Sequence, residues 1–257
     1  MVFLFLIGVF VGSFLNVIID RLPRKETIAK GRSHCEFCKK ELGWYDLVPM
    51  LSFLMLKGKC RYCKAKLSFF YPTIELSTGI LFAFTYLWIS QIYHLPFTIY
   101  HLIYYLIIIS AFIVIFFSDL KYGIIPDKIV FPAIFISLAY LFIIHNSLFI
   151  IHLSSALGAC AFFLILFLIT KGKGMGFGDV KLSFLLGLIL GFPKIILALY
   201  LAFLTGAFVG IILIVWRKKR SLKDTIPFGP FLVIGTLLSL FLGNLILPKI
   251  IIFLGLP

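Results

Sequence analysis

Acidic side chains are the scarcest class in this chain. Ten Asp and Glu stand among 257 residues, against 24 Lys and Arg. Charge of either sign reaches only 13%, about half of what soluble domains carry. That excludes an ordinary water-soluble globule. A basic leader segment and a small-residue cleavage site are both missing ahead of Asp20, so no cleavable signal peptide is expected. Also missing is a dinucleotide-type glycine fingerprint after a strand. Cysteine occurs five times, four of them in one loop. What fills the chain is apolar: 62% of residues are hydrophobic and mean hydropathy is +1.13. These numbers predict an all-α polytopic membrane protein.

Eight apolar runs follow one another, at residues 2–19, 73–92, 96–117, 129–144, 151–169, 182–192, 195–216 and 226–247. Most come near the ~20 residues that cross ~30 Å of hydrocarbon. Run 182–192 does not, because a helix of that length rises only ~17 Å. Either it is a short segment ended by Pro193-Lys194, or it begins one long kinked helix that reaches Trp216. Basic residues decide. With the N-terminus outside, the loops at 20–72, 118–128, 170–181 and 216–225 hold 12, 2, 3 and 5 Lys plus Arg. Only Lys194 and Lys249 fall elsewhere. Positive charge collects on the cytoplasmic side, so about eight transmembrane segments are expected, with both termini outside. The net charge of +14 then reflects topology and contact with membrane lipid, and no nucleic-acid partner is expected. The short segment needs a thinned bilayer or shielding by neighbouring helices. The expected division is a first segment at 1–19, a basic cytoplasmic domain at 20–72 and a multi-helix membrane domain at 73–257.

Within the first segment, Gly8, Gly12 and Ser13 permit close helix contact, and Asn16 is placed to hydrogen-bond across a helix interface. Two aspartates occupy matching places further on. Asp119 follows the apolar run ending at Phe117, and Asp179 precedes run 182–192. In the topology above both lie at the cytoplasmic boundary. Two carboxylates meeting there could share one proton and do acid–base work. The plainer alternative is that Asp119 caps its helix or pairs with Lys121, and that Asp179 caps the next one. Asp127, after Pro126, reads as a helix N-cap. Ahead of Asp179 runs Gly174-Met175-Gly176-Phe177-Gly178. Gly176 and Gly178 are expected to supply close backbone approach and φ > 0 conformations around the carboxylate. Gly187, inside the following helix, is expected to tolerate alanine unless it packs on a neighbour.

The loop after the first segment carries Cys35-Glu36-Phe37-Cys38 and Cys60-Arg61-Tyr62-Cys63. Two such knuckles supply the four thiolates of a structural zinc site. A cytoplasmic loop faces a reducing compartment, which disfavours disulfides, while a redox dithiol is the alternative. Cys160 reads as a buried small side chain and His34 as a surface residue.

The motifs in order resemble one family. They are Gly12-Ser13-Phe14-Leu15-Asn16-Val17 with Arg21-Leu22-Pro23, the paired knuckles, and Tyr71-Pro72-Thr73-Ile74-Glu75-Leu76. Then come Gly176-Phe177-Gly178-Asp179-Val180-Lys181-Leu182 and Ile226-Pro227-Phe228-Gly229-Pro230-Phe231. Together they are similar to type IV prepilin peptidases over nearly the full length. Presenilin-like proteases share the short glycine–aspartate motif but not the cysteine-bearing loop. The resemblance implies an intramembrane aspartic protease with Asp119 and Asp179 as the catalytic pair. It implies cleavage of short basic leaders from prepilins or type II secretion pseudopilins at the cytoplasmic face of the inner membrane. It also implies N-methylation of the new N-terminus with S-adenosylmethionine as donor. Basic loops would repel such a leader, so acidic groups among Asp20, Glu26, Glu36, Glu41, Asp46 and Glu75 are the expected counterparts. The reading from another class is a non-enzymatic scaffold or transporter with a zinc-stabilised cytoplasmic module.

Overall fold

In hydrocarbon an apolar chain must satisfy its own backbone, and a helix does so within one segment. The computed structural model describes residues 1–27, 32–92, 98–144, 146–216 and 226–253. Nine α-helices occur among them: α1 Val2–Arg21, α2 Leu51–Met55, α3 Phe70–Ile92, α4 Thr98–Tyr122, α5 Asp127–Ile144, α6 Phe149–Ile169, α7 Phe177–Leu190, α8 Lys194–Trp216 and α9 Gly229–Phe253. No strand occurs among the described residues, only two isolated bridges in the cysteine-bearing loop. All but α2 and α7 are long and apolar enough to cross a membrane. The chain divides into two compact units, Met1–Phe117 and Ser118–Pro257.

In the first unit, α1 and α3 run antiparallel with their backbones nearly touching. A Cβ on Gly12 would lie 2.7 Å from the Cα of Glu75, and one on Gly8 would lie 2.8 Å from the Cα of Gly79. Only glycine permits this approach. Asn16 does hydrogen-bond across the interface, its Nδ2 donating to the Tyr71 carbonyl at 3.3 Å. The loop between these helices is fastened by buried polar groups. The Arg21 guanidinium donates to the carbonyls of Thr27 and Arg32, and Oε2 of Glu75 accepts the Met50 amide at 2.7 Å.

In the second unit α7 is central, and ten of its 14 residues are buried, against α5, α6 and α9. A helix apolar on every face suits that position. At ~21 Å it is the short segment the sequence anticipates, and neighbouring helices shield it. It is also separate from α8: the chain breaks at Gly191, with φ 65°, so a single kinked helix over 182–216 is excluded. The basic cluster at 217–220 that favoured this division lies outside the described residues. His152 donates from Nδ1 to the Leu188 carbonyl at 2.7 Å, satisfying an acceptor left over at the end of α7.

Gly187 is a correction. A Cβ there would lie 2.4 Å from the Cα and 2.6 Å from the N of Ala156. It is a crossing point of α6 and α7 backbones, so alanine is not tolerated for its helix propensity.

Candidate active site

Both conspicuous aspartates lie inside helices rather than flanking them. α4 continues past the apolar run to Tyr122, and the Gly123 amide bonds back to the Asp119 carbonyl at 2.8 Å. α7 starts at Phe177, with Gly176 as its N-cap, so Asp179 falls in the first turn. Each side chain is only 5% exposed. They are near enough to interact electrostatically, and both belong to the second unit.

Their surroundings differ. Oδ2 of Asp119 accepts the Gly229 amide at 2.9 Å, so neither a cap nor a bond to Lys121 accounts for it. The Asp179 side chain lies beside the Gly176 backbone, and its Oδ1 is buried with no hydrogen-bond partner. A buried acceptor without a donor costs ~1–3 kcal/mol, so native proteins seldom keep one without a use for it.

Gly229 is a site residue that reading of the sequence missed. A Cβ on it would sit 2.6 Å from Oδ2 of Asp119. The signal was present in Ile226-Pro227-Phe228-Gly229-Pro230, but the spacing of 110 residues from Asp119 gave it no local meaning. Ile125 was missed too. Its side chain wedges between the two glycine positions, 3.0 Å from a Cβ on Gly178 and 3.3 Å from one on Gly229.

The glycine run acts through close approach at Gly178 and not through left-handed backbone. Gly176 has φ −77°, and the glycines with positive φ nearest the site are Gly123 and Gly172. A Cβ on Gly176 would meet nothing closer than 3.9 Å. Asp127 is likewise not an N-cap. It is the first residue of α5, the carbonyl of Pro126 accepts the opening bonds from Ile129 and Val130, and the Asp127 carboxylate pairs with Lys181. The Lys181 ammonium also stands 5.4 Å from the Phe177 ring and 5.7 Å from that of Phe131.

A second cluster lies in the first unit. Sγ atoms of Cys35, Cys38, Cys60 and Cys63 are all within 4.8 Å of one another, with Cys35 and Cys63 3.8 Å apart. Sulfurs bound ~2.3 Å from a tetrahedral zinc stand about 3.8 Å apart, so the set fits that ion. The knuckles are one turn built twice. In each, the first cysteine's amide bonds to the carbonyl five residues on, from Cys35 to Lys40 and from Cys60 to Ala65. A lysine in left-handed conformation follows each pair, Lys39 at φ 58° and Lys64 at φ 60°. The Ala65 amide pulls the Cys63 thiol down, but desolvation and hydrogen bonds with the thiols of Cys60, Cys38 and Cys35 push it up to about 11. Thiols crowded this way lose their protons when a cation takes their place. His34 is exposed and outside the cluster.

Of the six acids considered as counterparts of a basic leader, five are already engaged. Glu36 pairs with Arg24, Glu41 with Arg32 and Asp46 with Arg61. Asp20 accepts the Tyr71 hydroxyl and Glu75 the Met50 amide.

Comparison with known proteins bears on both clusters. Residues 6–89 match the bacterial peptidase A24 N-terminal domain and residues 106–211 the type IV leader peptidase family. A prepilin leader peptidase/N-methyltransferase of Bacillus subtilis is 33% identical over 248 residues, covering 95% of each chain. One of Myxococcus xanthus is 33% identical over 217 residues, covering 83% of this chain and 63% of that one. One of Aeromonas hydrophila is 31% identical over 273 residues, covering 93% and 90%. No solved structure matches the chain.

Proposed function

This chain belongs to the type IV leader peptidase family, and from that premise we propose that it cleaves prepilin or pseudopilin leaders with Asp119 and Asp179 and N-methylates the new N-terminus. It is a multi-pass inner-membrane protein. Nothing in the comparisons favours a scaffold or transporter. The observation that supports the catalytic assignment most is the unpartnered, buried Oδ1 of Asp179 close to a second buried carboxylate.

In this reading the pair carries one proton. The ionised carboxylate takes a proton from water, and the water oxygen attacks the scissile carbonyl, which the protonated carboxyl polarises through a hydrogen bond. The carboxyl that received the water proton then delivers it to the departing amine, and the pair returns to its starting state. The Gly229 amide holds Asp119 in place. Gly178 and Ile125 set the gap between the turns. The distribution of Lys and Arg supports a cytoplasmic active face with both termini outside.

The four cysteines would hold a structural zinc, which supplies folding free energy to the loop. Methylation is supported by the relatives, which are prepilin leader peptidase/N-methyltransferases. Its second substrate is S-adenosylmethionine, whose sulfonium methyl would pass to the new amine with loss of one proton. One experiment tests both activities. Purified protein is incubated with a prepilin and the methyl donor, and the mass of the product N-terminus is read. An unprocessed prepilin would overturn the peptidase reading, and a cleaved but unmethylated product the methyltransferase reading.

A further inference from the structure

The loop between α1 and α3 shows large apolar side chains to its surroundings at one height. Leu51, Leu54 and Met55 of α2 are 59%, 66% and 81% exposed, and Phe69 is 76% exposed. Two contacts fix that height. The Met50 amide, immediately before α2, bonds to Glu75, and the Phe53 ring packs edge-on against Phe69 with centroids 5.3 Å apart. Glu75 lies ~8 Å along α3 from Phe70. α3 has 23 residues, slightly more than the ~20 that cross the hydrocarbon, so the membrane boundary falls near its first turn. α2 is thus tied beside the point where α3 enters the bilayer.

The chemistry of the patch selects its partner. Its apolar members offer no polar atom with which to read a protein surface. The residues that follow include Lys57, Lys59, Lys64 and Lys66, all exposed. Apolar side chains at the boundary with ammonium groups beside them match the layered chemistry of an anionic leaflet, acyl carbon below and phosphate above. We propose that α2 and Phe69 form an interfacial anchor that seats the cysteine-bearing loop on the bilayer. Leu51, Leu54, Met55 and Phe69 enter the headgroup layer, and the four lysines bind anionic lipid headgroups. The anchor keeps the paired knuckles at the membrane surface instead of leaving them on a free tether.

Tryptophan reports on this directly. The chain has three, Trp44, Trp88 and Trp216, and with all three changed to Phe, Met55→Trp introduces a single reporter. Leu54→Trp in the same background is the second site. Full-length protein is reconstituted into bilayers, with zinc content and leader cleavage confirming that each variant is folded. The expected result is blue-shifted emission and about two-fold quenching by phosphatidylcholine brominated near the carboxyl end of its chains, strengthened when phosphatidylglycerol is added. Water-like emission without quenching at both sites overturns the anchor. Emission that shifts only when a prepilin is added overturns it in favour of a protein-docking surface. Quenching that is indifferent to phosphatidylglycerol overturns the role given to the lysines.

Discussion

Two membrane helices of this chain bury a carboxylate near one end, and they treat it in opposite ways. Glu75 in α3 accepts the Met50 amide at 2.7 Å, so it works as a fastener between helix and loop. Asp179 in α7 is buried to a similar degree, 5% exposed against 7%, yet its Oδ1 has no partner. The difference teaches how to tell architecture from chemistry. Burial alone marks both groups, and Oδ1 of Asn16 and Oγ of Ser118 are also buried without a partner. What sets Asp179 apart is an unpartnered oxygen on a carboxylate with a second buried carboxylate, Asp119, near it.

The sharpest test of that contrast is loss of the charge. Asp119→Asn and Asp179→Asn should each abolish leader cleavage with the melting temperature unchanged or raised, read by product mass and by calorimetry. Normal cleavage by Asp119→Asn would remove that residue from the pair. Next in size is Gly229→Ala, whose Cβ would push into Oδ2 of Asp119. A carboxylate displaced by ~1 Å can lower turnover ~100-fold, while Gly176→Ala, whose Cβ would reach only ordinary contact at 3.9 Å, should cleave nearly normally. Similar losses at 229 and 176 would mean that carboxylate placement is not what the glycines protect.

Gly187→Ala should act on stability instead. Overpacking a tight helix crossing costs ~1–3 kcal/mol, so the melting temperature falls. Gly178→Ala, which asks Ile125 to give by a few tenths of an ångström, should reduce cleavage more than stability. Glu75→Ala strands the Met50 amide, at ~1–3 kcal/mol. It should speed zinc loss to a chelator while leaving leader cleavage in place. Lost cleavage with intact protein would erase the distinction between fastener and reagent. The smallest effect belongs to Asp127→Asn. Its ion pair with Lys181 is partly exposed and worth no more than about 1 kcal/mol, and activity should persist.

Much of this was legible in the sequence because the signals were local. Apolar runs longer than a bilayer's thickness, two knuckles with paired cysteines, and Asn16 among small residues each state their consequence within a few positions. The lone short run at 182–192 was also readable as a helix needing shelter. What escaped depends on residues far apart meeting in space. The bond from Gly229 to Asp119 spans 110 positions, and the collision awaiting a side chain at Gly187 lies on another helix. Helix ends escaped for a different reason. Hydropathy stops at Phe117, but backbone hydrogen bonding carries α4 through Asp119 to Tyr122, since a helix does not need apolar side chains to continue.

With a zinc bound, the doubled knuckle would also impose an order of events during synthesis. Cys63 leaves the ribosome before Glu75, so all four thiols are available while the residue that tethers Met50 is still to come. A chain that captures its ion at that moment has already closed the loop when α3 is delivered to the membrane. The partner presented to α3 is then a folded knob with one amide waiting, and the arrival of α3 completes a docking whose other half was made before it.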